Sequence, residues 1–242
     1  MPDIKLEVCV DDAFGLAAAI AGGADRIELC GALTIGGITP TVGLMELAAA
    51  SGVPAYPMIR SRTGDFVFGA RDVAVMKADI RAARAQGLTG VVLGANLPDG
   101  SLDIPVIADL VAEAQGMDMT LHRAIDLCAD VEKAVEQAVE LGFRRILSSG
   151  GALKAPDGVE RLATMFRAAR ARLIIMPGSG LSAETLPRIA ALPLQEVHGS
   201  CSVPAEPDAR GRAFGFQSLT QGRTDTAKVA AFKAALRALP PR

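Results

Sequence analysis

Aromatic residues are scarce: the 242 residues include no Trp, one Tyr and eight Phe. With so few aromatic side chains to stack on bases, a nucleic-acid interface is disfavoured. The charge points the same way, with 25 Lys and Arg against 27 Asp and Glu and no basic excess to meet phosphates. No apolar run approaches the ~18 residues that would cross a membrane. The N-terminus, Met1-Pro2-Asp3-Ile4-Lys5, lacks the charged-then-apolar layout of an export signal, so the expected compartment is the cytoplasm. The four cysteines, Cys9, Cys30, Cys128 and Cys201, form no C-x-x-C pair, which removes support for a zinc ribbon or a thioredoxin-type motif. No Gly-x-Gly-x-x-Gly follows the first apolar run, which weighs against a doubly wound dinucleotide fold.

What is present is a rhythm. Short apolar runs at 5–9, 26–30, 55–60, 90–94, 119–123, 144–148, 173–176 and 195–198 alternate with Ala-rich stretches of helical period. Most of these runs are continuously apolar, as strands covered on both faces are. Val73, Met76, Ile80 and Ala83 share one helical face, as do Val131, Val135, Ala138 and Gly142, with Asp130 as N-cap. Val229, Phe232, Leu236 and Leu239 form a last helix before Pro240. Gly at 22–23, 52, 87, 116 and 142 closes several helices just before the next strand. Eight such units at ~30 residues each predict a single α/β domain over 1–242, a (β/α)8 TIM barrel. The irregular segment 202–225, with Pro204, Pro207, Gly211, Gly215 and Gly222, reads as a long loop near the barrel mouth.

Active sites of such barrels lie at the C-terminal strand ends. Strands 1 and 2 both end in Glu-x-Cys, Glu7-Val8-Cys9 and Glu28-Leu29-Cys30, so each Glu shares a face with its Cys. If the two strands lie in register, the carboxylates face each other and the thiols sit side by side. Buried carboxylates need counter-charges, and Arg60, His122, Arg123 and His198 stand at other strand ends. Asp126 follows strand 5, and Ser149-Gly150 and Gly178-Ser179-Gly180 form Gly-rich turns able to aim amides at an anion. Two readings of the mouth follow. In one it is a small-molecule enzyme with Glu7, Glu28, His122 and His198 as acid–base candidates. Arg60, Arg123, Asp126, Ser149, Gly150, Gly178 and Gly180 would then hold a small anionic molecule. In the other it is a soft-metal site built on Cys9 and Cys30. Cys128 and Cys201 have no evident partners and read as structural.

Longer strings sharpen the choice. Leu6-Glu7-Val8-Cys9, Gly23-Ala24-Asp25-Arg26-Ile27-Glu28-Leu29-Cys30 and Gly36-Gly37-Ile38-Thr39-Pro40 resemble the opening of the CutC copper homeostasis protein family. Met58-Ile59-Arg60, Gly64-Asp65-Phe66, His122-Arg123-Ala124-Ile125-Asp126, Arg145-Ile146-Leu147-Ser148-Ser149-Gly150 and Met176-Pro177-Gly178-Ser179-Gly180 continue the resemblance in order. It implies a (β/α)8 barrel, a cytoplasmic homo-oligomer with a dimer favoured, and Cu(I) held by Cys9 and Cys30. The chain departs from the family pattern at Ser61, where Pro often follows the Arg, and at Ile125, where Phe is usual. From Ser202 onward the resemblance is loose.

Overall fold

A computed structural model describes residues 4–206 and 208–240. Pro207 and the first three residues, which bear on the loop and the export expectations, lie outside the described residues. The eight strands are β1 (Lys5–Val10), β2 (Arg26–Leu29), β3 (Ala55–Pro57), β4 (Gly90–Leu93), β5 (Asp118–Leu121), β6 (Arg145–Ser148), β7 (Ile174–Pro177) and β8 (Glu196–Gly199). They are parallel, in the orders β3-β2-β1-β8 and β4-β5-β6-β7. A parallel bridge from Met58 to Val92 joins the two sets, and β7 packs beside β8 to close the cylinder.

The helices between them are α1 (Ala13–Ala21), α2 (Val42–Ala49), α3 (Ala70–Ala85), α4 (Ile104–Glu113), α5 (Val131–Glu140) and α6 (Val159–Ala169). Short polar caps start several of them. Asp130 accepts from the Lys133 amide at 3.0 Å, as its position predicts, and Thr41, Asp103 and Asp225 cap in the same way. Between β7 and β8 there is only a 3-10 turn at Leu186–Arg188, with Pro187 inside it.

The segment 202–225 is more ordered than a plain loop. It holds an antiparallel ribbon of β9 (Ser202–Pro204) and β10 (Gly222–Thr224), with the short helix α7 (Ala209–Ala213) between them. The last helix, α8 (Thr226–Arg237), follows at once and buries Val229, Phe232 and Leu236.

The apolar core is the layer between cylinder and helices. Leu6, Val8, Ile27, Leu29, Val91, Leu93, Ile146, Ile175 and Val197 form it with Leu16, Met45, Met76, Ile80, Leu110 and Phe232. The inner face of the cylinder is different. β1, β2, β6 and β8 alternate, and their second face carries Glu7, Arg26, Glu28, Arg145, Glu196 and His198, all buried. These strands are therefore not continuously apolar, because the interior is lined with charge that pairs internally. A small apolar cluster, Cys30, Tyr56, Met58 and Val92, interrupts it, and Leu147 and Met176 add apolar surface there.

Candidate functional site

Register decides which inward side chains meet. β1 and β2 are staggered, pairing Glu7 with Arg26 and Cys9 with Glu28. The in-register expectation is corrected: Glu7 does not face Glu28, and Cys30 lies one two-residue step beyond the level of Cys9. Such a stagger is what lets eight strands close into a tilted cylinder. On its other edge β1 pairs with β8, setting Glu7 beside His198.

The lower half of the interior is a closed ion network. Arg26 pairs with both Glu7 and Glu196. Arg145 donates to Glu196 at 3.0 Å, to Asp118 at 2.8 Å and to Thr120 at 3.1 Å. The single Tyr, Tyr56, lies under both guanidiniums, 5.3 Å from each, with its hydroxyl 2.9 Å from Asp118. The counter-charges to the buried carboxylates are thus Arg26 and Arg145, which begin their strands, together with His198 as expected, rather than Arg60 and Arg123. A cavity of about 660 Å³ opens at this N-terminal end. Its two buried guanidiniums are already held by carboxylates, so it has less to offer a ligand than the mouth.

At the mouth, His198 Nδ1 is 2.9 Å from Glu7 and Nε2 is 3.6 Å from Glu28. Burial raises the Glu7 pKa, but Arg26 and His198 outweigh it and hold the carboxyl at about 2. For Glu28, burial together with the charge of Glu7 outweighs His198 and pushes the pKa up. The two carboxyls are pushed apart, as acid–base chemistry requires. Burial works against a charged His198, but the Glu28 carboxylate overrides it and His198 is raised well above its usual value. Cys30 is raised by burial and then by Glu28, whose carboxylate accepts from its thiol at 3.7 Å. Cys9, Glu28 and His198 offer one donor atom each, all within 4.8 Å of one another.

Above this trio lies a cavity of about 280 Å³, lined by Cys9, Glu28, His198, Arg60, His122 and Arg123 among others. Cys9 lines it, whereas Cys30 is buried beside the loop at Gly37. His122 is buried in the wall, and the Arg123 side chain, half-exposed, is tied to Asp126 at 2.8 Å and to Ser149 at 2.7 Å. Both reach the mouth because His122 precedes a 3-10 turn, Arg123–Leu127, where strand alternation has ended. Gly180 lines the cavity too. Gly178 leaves room for its neighbours, since a Cβ there would come within 2.4 Å of Leu147 and 3.0 Å of His198. The turn at Ser149 and Gly150 already has its anion. The amides of Ser149 and Gly151 donate to Asp126, and that of Gly150 donates to the Ser148 hydroxyl. The residues that sequence reasoning missed are Arg26 and Arg145, together with the cavity walls Leu33, Met58, Phe66 and Ser179. Their only signal was an inward position on a strand or on the loop after it.

The sequence profile of the CutC family matches residues 4–203. The chain belongs to the CutC family. A CutC family protein of Sinorhizobium medicae is 54% identical over 245 residues, 99% of this chain and 98% of that protein. One from Caulobacter vibrioides is 48% identical over 240 residues, 98% of each. A crystal structure of CutC from Streptococcus agalactiae superposes with TM-score 0.75 at 28% identity, covering 81% of this chain and 98% of that one. KGPDC from Streptococcus mutans has TM-score 0.60 at 13% identity, covering 99% of this chain and 100% of that one, a likeness of fold alone. The CutC family fold is thus the (β/α)8 barrel seen here, and the motif strings from Leu6 to His198 fall within the matched span.

Proposed function

We propose that this chain is a copper homeostasis protein that takes up Cu(I) at the floor of the barrel mouth, through Cys9 and Cys30 with His198 and Glu28 beside them. The observation that carries this reading is the convergence of a thiol, an imidazole and a carboxylate within 4.8 Å at Cys9, His198 and Glu28. Thiolate and imidazole are donors that a soft cation accepts. The setting fits a cation. Glu28 Oε1 is buried without a hydrogen-bond partner, and Glu7 on His198 Nδ1 orients the ring so that Nε2 faces the cluster. The Streptococcus agalactiae relative is named for copper homeostasis, which supports the choice of metal. The same reading places the chain in the cytoplasm as a homo-oligomer, dimer favoured. Its four free, buried cysteines suit a reducing compartment.

Competition with a Cu(I) chelator tests it. Cys9→Ser combined with Cys30→Ser abolishes uptake while circular dichroism shows the fold intact. Of the single variants Cys9→Ser loses more than Cys30→Ser, because Cys9 belongs to the converging trio. Uptake by the double variant equal to that of the parent would discard the site.

A further inference from the structure

Three buried side-chain atoms with no hydrogen-bond partner belong to residues lining the mouth cavity: Glu28 Oε1, Arg60 Nε and His122 Nε2. Arg60 is 4% exposed and His122 is 2% exposed, and a buried polar group left unpaired costs about 1–3 kcal/mol. Arg60 makes no ion pair among the described residues. Its guanidinium is held by carbonyls, with Nη1 donating to Gly37 at 2.9 Å and to Ile35 at 3.3 Å, and Nη2 to Gly64 at 2.6 Å. The face of Phe66 lies 4.7 Å away. These contacts fix the plane of the guanidinium and leave two of its five N–H groups without an acceptor, the one on Nε and one on Nη2.

His122 is equally fixed. Nδ1 accepts from the Ala124 amide at 3.2 Å, and the ring packs on Phe66 at 4.9 Å. Burial and the Arg60 charge hold its pKa at about 3, so the ring is neutral. With Nδ1 accepting, the ring proton is on Nε2. Two residues of the wall thus each hold an unpartnered N–H atom, Arg60 Nε and His122 Nε2, and the first belongs to a cationic group.

We propose that the mouth cavity binds a small carboxylate, one oxygen on Arg60 Nε and the other on His122 Nε2, and that Glu28 Oε1 accepts from a hydroxyl or amino group on the same molecule. Two single N–H donors match the two oxygens of a carboxylate. A phosphate, with three oxygens and up to two charges, calls for more, and Arg123 is already engaged by Asp126 and Ser149. The cavity, about 280 Å³, has apolar wall at Leu33, Met58, Phe66 and Leu147, and its size suits an acid of a few carbons. The proposal goes beyond the copper reading, since neither Arg60 nor His122 is a proposed ligand of the metal.

Calorimetric titration tests it on protein dialysed free of metal and chelator, with acetate, glycolate and inorganic phosphate at constant ionic strength. Both carboxylates bind, and glycolate binds at least fivefold more tightly than acetate because its hydroxyl reaches Glu28. His122→Phe, which keeps an aromatic ring against Phe66, weakens both by at least tenfold. If that variant does not fold, Leu147→Phe fills the cavity from an apolar wall and abolishes binding. Absence of carboxylate binding, tighter binding of phosphate, or unaltered affinity in the folded variants overturns the proposal. Because the metal is stripped beforehand, this outcome is independent of whether copper binds.

Discussion

His122 and Glu7 are both buried, and their surroundings drive them to opposite charge states. The unfolded imidazole takes up a proton near pH 6.5, whereas the native ring resists it down to about 3. Between those values the unfolded chain binds more protons than the native one, so His122 withdraws stability as the pH falls. In His122→Phe that contribution is gone. The variant is expected to gain on the parent by on the order of 2 kcal/mol from pH 6.5 to 4.5, measured by urea unfolding at a series of pH values. Parallel curves would show that the ring is charged in the native state. Glu7, lowered to about 2 by Arg26 and His198 against the pull of burial, adds stability above the ordinary carboxylate pKa that is lost as pH falls towards 2. The Glu-x-Cys face was legible in the sequence because i and i+2 share a side of a strand. Of the partners of Glu7, His198 stood among the candidate counter-charges, 191 residues away, whereas Arg26, 19 residues away, did not.

Elements carry their own logic. Caps and glycine stops were readable because they act within four residues, and Asp130 at α5 and the left-handed Gly87 and Gly142 stand where the pattern put them. Pairing between strands was not readable, as the stagger of β2 on β1 belongs to the cylinder rather than to either strand. The β3–β4 seam shows how tightly the elements fit. A Cβ on Gly90 would lie 2.5 Å from the ring of Tyr56, and that ring cannot swing away because Arg26, Arg145 and Asp118 hold it. Gly90→Ala is expected to lower stability by about 1–3 kcal/mol. Gly43→Ala in α2, where a Cβ meets nothing within 4 Å, should raise it by about 0.5–1 kcal/mol. Denaturant midpoints for the pair check both, and equal midpoints would mean that the Tyr56 stack yields.

On the scale of the molecule, the chain closes on itself where β8 meets β1, and α8 covers that join. Lys233 on α8 is buried and pairs with Asp25, which also accepts from the Leu6 amide at 2.7 Å. The last helix is thereby locked to the first two strands. Lys233→Ala should cost about 1–3 kcal/mol, and hydrogen exchange should show the loss concentrated in α8 and β1. Uniform loss of protection throughout the barrel would contradict that local role. The same closure juxtaposes residues from the two ends of the chain at the mouth, so the site exists only once the barrel is complete.

Local order alone determined the alternation of strand and helix, the apolar layer beneath the helices, and the shared face of each Glu with its Cys. Each of these follows from spacing over a few residues. The tertiary structure decided which of those groups touch. The tilt that closes the cylinder shifts each strand against the next, setting Cys9 beside Glu28 and His198, with Cys30 one two-residue step further along β2. The closed barrel also brings Arg60 and His122, each with an unpartnered N–H atom, to the same cavity.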